Sequence, residues 1–297
     1  MIHVEEHRLI KNIVFRLVRR HIAGFTMNSA LNAVRYLNGD GMNTTLTFLS
    51  EHVSDPIKAR YNANTYVQVI KQISRLHLNS SVSLRLSQIG YALGNGSADR
   101  LLDDILDAAR SGSSTVWLEG GLGVTHDELM AVYNDRRAAN PNLGVEIPIS
   151  YYSRMDGIIR SIRPRSMVRM TSHPYMAESA ASNRSNTQKG MLNRYMSAIS
   201  LLLKKSQKVC IHEPDEKLMA RIASSSNGHK KDLIFGVPFG YSKRRVKRLM
   251  KMKVNLDVYV PYGKDWSAYA IYGLASGRLH GIATTLLDGE RGGAHGS

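Results

Sequence analysis

With 297 residues, of which 43% are hydrophobic and 22% charged, the chain has the composition of a globular protein with a substantial core, which excludes a disordered chain. Its one cysteine excludes an intrachain disulfide and a cysteine-based metal cage. Lys and Arg number 40 against 24 Asp and Glu, and the resulting net charge of +16 favours anionic partners such as phosphate-bearing cofactors, nucleic acids or acidic membrane surfaces.

The N-terminal segment, residues 1–23, is predicted to be a helix outside the repeating pattern that follows it. Charged residues interrupt its apolar residues throughout, so it lacks the apolar centre and cleavage site of a signal peptide. No apolar run in the chain approaches the roughly 18 residues of a membrane-spanning helix. A cytoplasmic protein is therefore expected. Gly24 ends the segment, and Thr26 or Asn28 is expected to cap the next helix, predicted over residues 29–37.

From residue 43 onward, short apolar segments alternate with stretches of helix length, which is the pattern of repeated βα units. Eight such units in about 250 residues predict a (βα)8 TIM-like barrel of the α/β class, a single domain over residues 24–287 with an extra N-terminal helix. Residues 288–297 are expected to form a disordered tail. The predicted strands are 43–49, 81–86, 115–118, 144–149, 167–170, 208–211, 233–235 and 256–260.

Helix signals lie between these strands. Asp55-Pro56 opens a predicted helix that runs to Leu76, since proline is tolerated in the first helical turn. The basic run 243–248, extended by Lys251 and Lys253, has apolar residues at helical spacing and is predicted to be a solvated outer helix, with a nucleic-acid surface as the less expected alternative. Other predicted helices are 98–109, 125–139 and 190–205, and the predicted polar loops are 179–189 and 224–228.

The residues near the predicted strand ends resemble the proline dehydrogenase family. Three stretches carry the resemblance: 48–51, 82–90 and, most specifically, 258–266, which the family has in closely similar form at its eighth strand. Order and spacing agree as well, over roughly residues 24–285. The resemblance implies a distorted (βα)8 barrel that holds FAD and oxidises L-proline to Δ1-pyrroline-5-carboxylate by hydride transfer to the flavin.

The resemblance also implies four cofactor-binding residues. Arg169 matches the arginine of strand five that lies against the flavin, and Tyr175 occupies the aromatic position shortly after it. His212 matches the histidine at the end of strand six, and Trp266 stands with Tyr262 in the strand-eight motif.

Three further residues are implied to act on the substrate. Tyr269 matches the tyrosine that lines the substrate pocket. Arg85 replaces a lysine of the family, which keeps the charge and changes the geometry. Glu119 stands where the family has an aspartate.

Other positions depart from the family. Tyr272 and Gly273 stand in place of an arginine pair that clamps the proline carboxylate, and neither supplies a guanidinium. Ser276 stands where the family has an acidic residue. Further departures lie at positions that are near the flavin in the family, and these are Ser172-His173-Pro174, Pro148 and Gly236.

Three functions are therefore compatible with the sequence. The first is FAD-dependent oxidation of L-proline or a proline-like imino acid, in which Arg85, Arg169 or Arg278 takes over carboxylate binding. The second is an altered-substrate enzyme of a specialised biosynthetic route. The third is a catalytically silent homologue with a binding or regulatory role. The expected partners are a small-molecule imino acid and an electron acceptor of unknown identity; nucleic acid is not expected, and the oligomeric state is open.

Some of these residues also have a purely structural interpretation. Arg169 could pair inside the barrel with Glu119, and His212 could be a hydrogen-bonded structural histidine. Residues 120–123 do not have the spacing of a dinucleotide-binding loop and are interpreted as a turn. No recognised metal-ligand spacing is present, so no metal site is expected. Cys210 lies within a predicted buried strand, which argues against a nucleophilic role.

Overall fold

The computed structural model describes residues 15, 19–50, 53, 55–94, 96–148, 154–171, 186–206, 208–212, 216–226, 231–252, 254–266 and 269. Its centre is a closed barrel of eight parallel strands, in which each strand pairs with the next along the chain and β8 pairs with β1. The predicted (βα)8 barrel is thus confirmed. The strands are β1 Asn43–Phe48, β2 Ser80–Arg85, β3 Val116–Glu119, β4 Leu143–Pro148, β5 Met167–Thr171, β6 Lys208–His212, β7 Leu233–Pro238 and β8 Asn255–Tyr262.

One helix precedes the barrel, and helices connect its successive strands. In the described residues they are α1 Met27–Gly39, α2 Pro56–Arg75, α3 Ser97–Ser111, α4 His126–Arg137, α5 Met155–Ser161, α6 Asn186–Lys205, α7 Glu216–Ser225 and α8 Lys243–Lys251. Short 3-10 helices lie at Arg19–His21, Leu86–Ile89 and Tyr91–Leu93. None of the helices in this part of the chain is both long and apolar enough to cross a membrane.

Local capping explains where several helices begin. The hydroxyl of Thr26 accepts a hydrogen bond from the backbone N–H of Ser29, 3.2 Å away, as predicted for the start of α1. Asp55 accepts from the N–H of Lys58 at 2.8 Å, and Pro56 occupies the first turn of α2. Such side-chain acceptors satisfy N–H groups that have no partner within the helix.

Two of the predicted loops overlap with observed helices. Helix α6 begins at Asn186, so the last residues of the predicted loop 179–189 are helical, and α7 continues to Ser225. Polar residues suggested loops at both places, yet polar side chains are tolerated on a solvated helix surface. Within α7, the Ser224 hydroxyl donates to the carbonyl of Ala220 at 2.7 Å, which lets serine remain helical.

The strands alternate between an apolar outer face and a polar inner face. Outward residues such as Leu46, Val82 and Val145 are buried in the large core between strands and helices. Inward residues include Thr45 and Ser83, whose hydroxyls donate to carboxylates on neighbouring strands. Near the amino ends of the strands, a small apolar cluster of Trp117, Met167 and Cys210 lies inside the barrel.

Several sequence predictions fall on residues outside the described part of the chain. These are most of the N-terminal helix 1–23, the end of the barrel domain up to residue 287, the tail 288–297, and most of the loop 179–189. The predicted basic helix, in contrast, is described as α8 and lies on the outside of the barrel beside β8.

Candidate active site

Two oppositely charged residues end neighbouring strands. Arg85 is the last residue of β2 and Glu119 the last of β3, and the strand register pairs them. The Nε of Arg85 donates to Oε2 of Glu119 at 3.0 Å, and both side chains are almost fully buried. Buried charges are stable only when they are paired and hydrogen-bonded, so this contact explains how Arg85 remains inside the barrel.

A second guanidinium, that of Arg169 on β5, lies between two carboxylates. Its Nη2 donates to Oε1 of Glu119 at 2.8 Å, and its Nε donates to Oε2 of Glu146 on β4 at 3.0 Å. Burial by itself lowers the pKa of Arg169, but Glu146 and Glu119 outweigh burial and the net pKa is raised. Arg169 therefore keeps its positive charge in a fixed orientation.

Hydroxyl and aromatic groups complete the surroundings of Arg169. Ser83 donates to Glu119 and accepts from Arg169. The Tyr259 hydroxyl donates to Oε1 of Glu119 at 3.2 Å. The Cζ of Arg169 lies 5.2 Å from the ring centroid of Trp117 and 5.7 Å from that of Tyr259, distances typical of a cation–π contact.

His212, the last residue of β6, extends this cluster towards β7 and β8. Its ring packs edge-on against Tyr259 with centroids 5.1 Å apart, and its Nε2 lies 4.0 Å from Oδ2 of Asp257. The residue opposite it on β7 is Gly236, and a β-carbon there would lie 1.8 Å from Cδ2 of His212. The absence of a side chain at position 236 therefore lets the imidazole lie against β7.

The turn after β2 is held by a buried amide and a buried phenol. The side-chain oxygen of Gln88 accepts from the N–H of Arg85 at 3.1 Å and from the Tyr66 hydroxyl at 2.8 Å. Its amide nitrogen donates to the carbonyl of Phe48 at 2.6 Å. These contacts fix the backbone that carries Arg85, and they give a structural reason for the family-like stretch 82–90.

The structure brings together some of the predicted site residues and separates others. Arg85, Glu119 and Arg169 form one hydrogen-bonded network, which confirms the interpretation that Arg169 pairs with Glu119, and His212 reaches the network through Tyr259. Trp266 and Tyr269 pack elsewhere, in a separate apolar cluster with Ile22 and Leu49. The predicted positions Tyr175, Ser172-His173-Pro174, Tyr272, Gly273, Ser276 and Arg278 lie outside the described residues.

Sequence reasoning missed three members of the network: Ser83, Glu146 and Tyr259. Each lies on the inward face of its strand. A signal for Glu146 was present, because a carboxylate in the otherwise apolar strand β4 needs a buried partner. Tyr259 was within the quoted strand-eight stretch, but nothing in its sequence context indicates the direction of its hydroxyl.

One donor in this network lacks a hydrogen-bond partner among the described residues. The Nη1 of Arg169 is buried and makes no hydrogen bond there. Such a group is unfavourable unless a water molecule or a ligand satisfies it. The fused ring of a flavin presents nitrogen and carbonyl acceptors, so the site fits that group at this atom. Among the same described residues, no group of His, Cys, Asp and Glu is arranged to hold a metal ion.

Comparison with known proteins finds relatives that share one name. No family model matches the sequence. The chain is 26% identical over 256 residues to proline dehydrogenase 1 of Bacillus subtilis (strain 168), covering 84% of this chain and 83% of that protein. It is 23% identical over 259 residues to proline dehydrogenase 2 of the same organism, covering 86% and 84%.

The fold is similar to that of a larger protein of known structure. Proline utilization A (PutA) from Bdellovibrio bacteriovorus, inactivated by N-propargylglycine, superposes with a TM-score of 0.75 at 14% sequence identity. The match covers 90% of this chain but 33% of the PutA chain, so this chain spans about a third of that protein. At this identity the similarity concerns the fold.

Proposed function

Because this chain belongs to the proline dehydrogenase family, we propose that it is an FAD-dependent oxidoreductase that oxidises L-proline or a proline-like imino acid to a pyrroline carboxylate. The observation that carries this proposal is the unsatisfied Nη1 of the buried Arg169, which is held in place by Glu119 and Glu146. The proposal includes bound FAD, an electron acceptor of unknown identity and a cytoplasmic location.

Bound FAD would supply the two-electron acceptor for hydride removal from the carbon next to the substrate nitrogen. Arg169 is the residue proposed to hold the FAD. Its guanidinium keeps its positive charge, and its Nη1 is a buried donor with a fixed direction. His212 is proposed to lie beside the cofactor, in the space that Gly236 leaves open. Tyr175 and Trp266 remain predicted cofactor contacts.

The substrate side of the proposal involves Arg85, Glu119 and Tyr269. Both carboxylate oxygens of Glu119 already accept hydrogen bonds, Oε2 from Arg85 and Oε1 from Arg169 and Tyr259. Glu119 is therefore proposed to position the two guanidiniums rather than to accept a proton from the substrate. Tyr269 remains a predicted substrate contact, and its ring is largely buried.

The visible spectrum of the freshly purified full chain tests the cofactor. The proposal expects the yellow absorbance of an oxidised flavin, released as FAD on denaturation, and reduction of an artificial dye that depends on added L-proline or a close analogue. A colourless protein that gains no absorbance on incubation with FAD would contradict the proposal.

A catalytically silent homologue with a binding or regulatory role is the second candidate. One observation favours it: in the described interior, Arg85 and Arg169 are both bound to carboxylates of the protein itself. A protein that binds FAD but reduces no dye with any cyclic amine would support this candidate.

A further inference from the structure

A cavity of about 550 Å³ opens at the amino ends of the barrel strands. Its lining includes the first residues of three strands, Asn43 of β1, Ser80 of β2 and Lys208 of β6. Arg85 and Glu119 are the last residues of their strands, so the cavity lies at the opposite end of the barrel from the candidate active site. Its volume is within the usual range of small-molecule sites, about 300–1,000 Å³.

Small side chains help to leave this space unfilled. The interior of a (βα)8 barrel is normally packed with layers of large branched side chains. Here Thr45 and Ser81, which are paired on β1 and β2, are small and polar. The reaction sites of such barrels lie at the carboxyl ends of the strands, so a cavity at the amino ends is expected to bind a ligand without converting it.

The inner part of the cavity offers hydrogen-bond acceptors. Thr45 has one hydroxyl proton and donates it to Oδ2 of Asp257 at 2.7 Å. Ser81 lies 2.7 Å from the Thr45 hydroxyl and 3.3 Å from the carbonyl of Thr44, and each of these can accept its one proton. Both hydroxyl protons are thus used, so the oxygens of Ser81 and Asp257 keep lone pairs for a donor on a ligand.

Asp257 is a buried carboxylate that lines the cavity and has one oxygen still available. Its Oδ2 lies 4.0 Å from Nε2 of His212, which is beyond hydrogen-bond distance. Its Oδ1 makes no hydrogen bond to the described residues. A buried carboxylate is stabilised by a charged hydrogen-bond donor, so an ammonium group is the ligand group that matches Asp257.

Lys208 provides the opposite charge at the mouth of the cavity. It is exposed, and it makes no hydrogen bond or ion pair with its side chain among the described residues. Strand β7 lies between β6, which carries Lys208, and β8, which carries Asp257. Because neighbouring strands are about 4.8 Å apart, the backbones of the two residues are separated by roughly 10 Å across the sheet. A ligand that contacts both charges therefore needs its own charges separated by several bonds.

Two residues at the rim of the cavity have a backbone conformation that favours glycine. His77 follows the end of α2 with a φ of 50°, and Ser113 follows the end of α3 with a φ of 51°. Glycine is the usual residue directly after a helix cap in this conformation. Both residues line the cavity, so the chain keeps a polar side chain there against the local preference.

We propose that this cavity is a second ligand site that binds an ω-amino carboxylate, a zwitterion whose ammonium contacts Asp257 and whose carboxylate contacts Lys208. The charges of L-proline and of other α-amino acids lie on either side of a single carbon, so these molecules do not span the two residues. The inference goes beyond the proposed function and concerns the other end of the barrel.

Calorimetric titration of the purified full chain tests the proposal with four probes of equal length. These are 5-aminopentanoate, pentylamine, pentanoate and pentan-1-ol, which carry both charges, the ammonium, the carboxylate or neither. 5-Aminopentanoate is expected to bind about two- to fivefold more tightly than pentylamine, because Lys208 is exposed, and at least about tenfold more tightly than pentanoate, because Asp257 is buried. L-Proline is expected not to displace it.

Variants of the two charged residues locate the binding. Asp257→Asn should weaken 5-aminopentanoate binding by at least about tenfold. Lys208→Met should weaken it by about two- to fivefold and leave the affinity for pentylamine unchanged, since pentylamine has no carboxylate. The matched control is Lys231→Met, which removes another exposed cation at this end of the barrel, outside the cavity lining, and should change neither affinity. If Asp257→Asn does not fold, Lys208→Met still decides, because Lys208 is on the surface.

The outcomes separate this inference from the proposed function. Weaker 5-aminopentanoate binding in the two cavity variants, with unchanged binding in Lys231→Met, supports the second site. The inference is overturned by the absence of measurable binding, by displacement with L-proline, or by an affinity that Lys208→Met or a folded Asp257→Asn leaves unchanged. The flavin absorbance of the same preparations tests the proposed function independently, because the two sites lie at opposite ends of the strands.

Discussion

Gly236 on β7 and His212 on β6 occupy paired positions in the barrel, and the imidazole fills the space where a side chain at 236 would lie. A β-carbon at position 236 would be 1.8 Å from Cδ2 and 2.5 Å from Nε2 of His212. These distances are far below van der Waals contact. His212 can therefore keep this orientation only when residue 236 is a glycine. The position of His212 thus depends on a neighbouring strand.

The first prediction concerns this pair. Gly236→Ala should displace His212 and lower the free energy of unfolding by about 1–3 kcal/mol, the usual cost of overpacking a core. Urea unfolding measures the change. Gly157→Ala is the matched control, because nothing lies within 4 Å of a β-carbon at that position in α5, and it should stabilise the protein by roughly 0.5–1 kcal/mol. Equal effects of the two substitutions would rule out the proposed packing.

The second prediction concerns the ion pair between Glu146 and Arg169. Glu146→Ala leaves the Nε of a buried guanidinium without its acceptor, while Glu119 still contacts Nη2. The free energy of unfolding should fall by about 3 kcal/mol, near the lower end for breaking a buried pair. Asp127→Ala removes an exposed partner of Arg154 and should cost less than about 1 kcal/mol. A loss at Glu146 no larger than that at Asp127 would show that the buried pair is not formed.

The third prediction is a loss of stability at alkaline pH to which Cys210 contributes. Burial raises the pKa of the Cys210 thiol well above its ordinary value, and Asp257 adds to the rise. The unfolded chain releases the thiol proton above about pH 8.5, while the folded chain retains it. The unfolded state then binds fewer protons, so the free energy of unfolding falls as pH rises through this range.

Urea unfolding between about pH 7.5 and about pH 9.5 measures this dependence. Cys210→Ala should be less stable than the parent at neutral pH because it loses buried volume, but its stability should decline less steeply with pH. Tyr66 and Tyr262, whose pKa values burial also raises, remain in both proteins and contribute only at higher pH. Parallel curves for parent and variant would mean that the thiol does not titrate differently on unfolding.

Most of the fold could be predicted from the sequence because the barrel strands carry a strong local signal. Their outward residues are apolar, and cap residues such as Thr26 and Asp55 begin the helices where expected. The errors are at element ends, as at Asn186 and Ser225, where polar composition does not distinguish a loop from a solvated helix turn.

The candidate site could be predicted less completely, since its contacts join strands that are distant in sequence. Position at a strand end and family resemblance identified Arg85, Glu119 and Arg169. Neither revealed that Glu146 would accept from Arg169 or that Tyr259 would donate to Glu119 across 140 positions of the chain. Barrel closure brings these side chains together, and a single sequence contains no signal for the direction of each hydroxyl or carboxylate.

The last prediction concerns the role of Arg169 in flavin binding. Arg169→Ala removes the unsatisfied Nη1 donor and should abolish or strongly reduce the flavin absorbance of the folded protein. Arg169→Lys keeps the charge but loses the planar fork, so its flavin content should fall between those of the parent and the alanine variant. The measurement is the ratio of flavin to protein in the monodisperse fraction from gel filtration.

Destabilisation alone could also release a cofactor, so a second buried arginine serves as the control. Arg137 donates to the carbonyls of Asn140 and Arg165 at 3.2 Å and 2.6 Å, and it belongs to α4 outside the barrel interior. Arg137→Ala should lower the unfolding midpoint and leave the flavin content of the folded fraction unchanged. If both alanine variants lose flavin in proportion to their loss of stability, Arg169 is a structural residue. A loss confined to Arg169→Ala assigns Arg169 to the cofactor site.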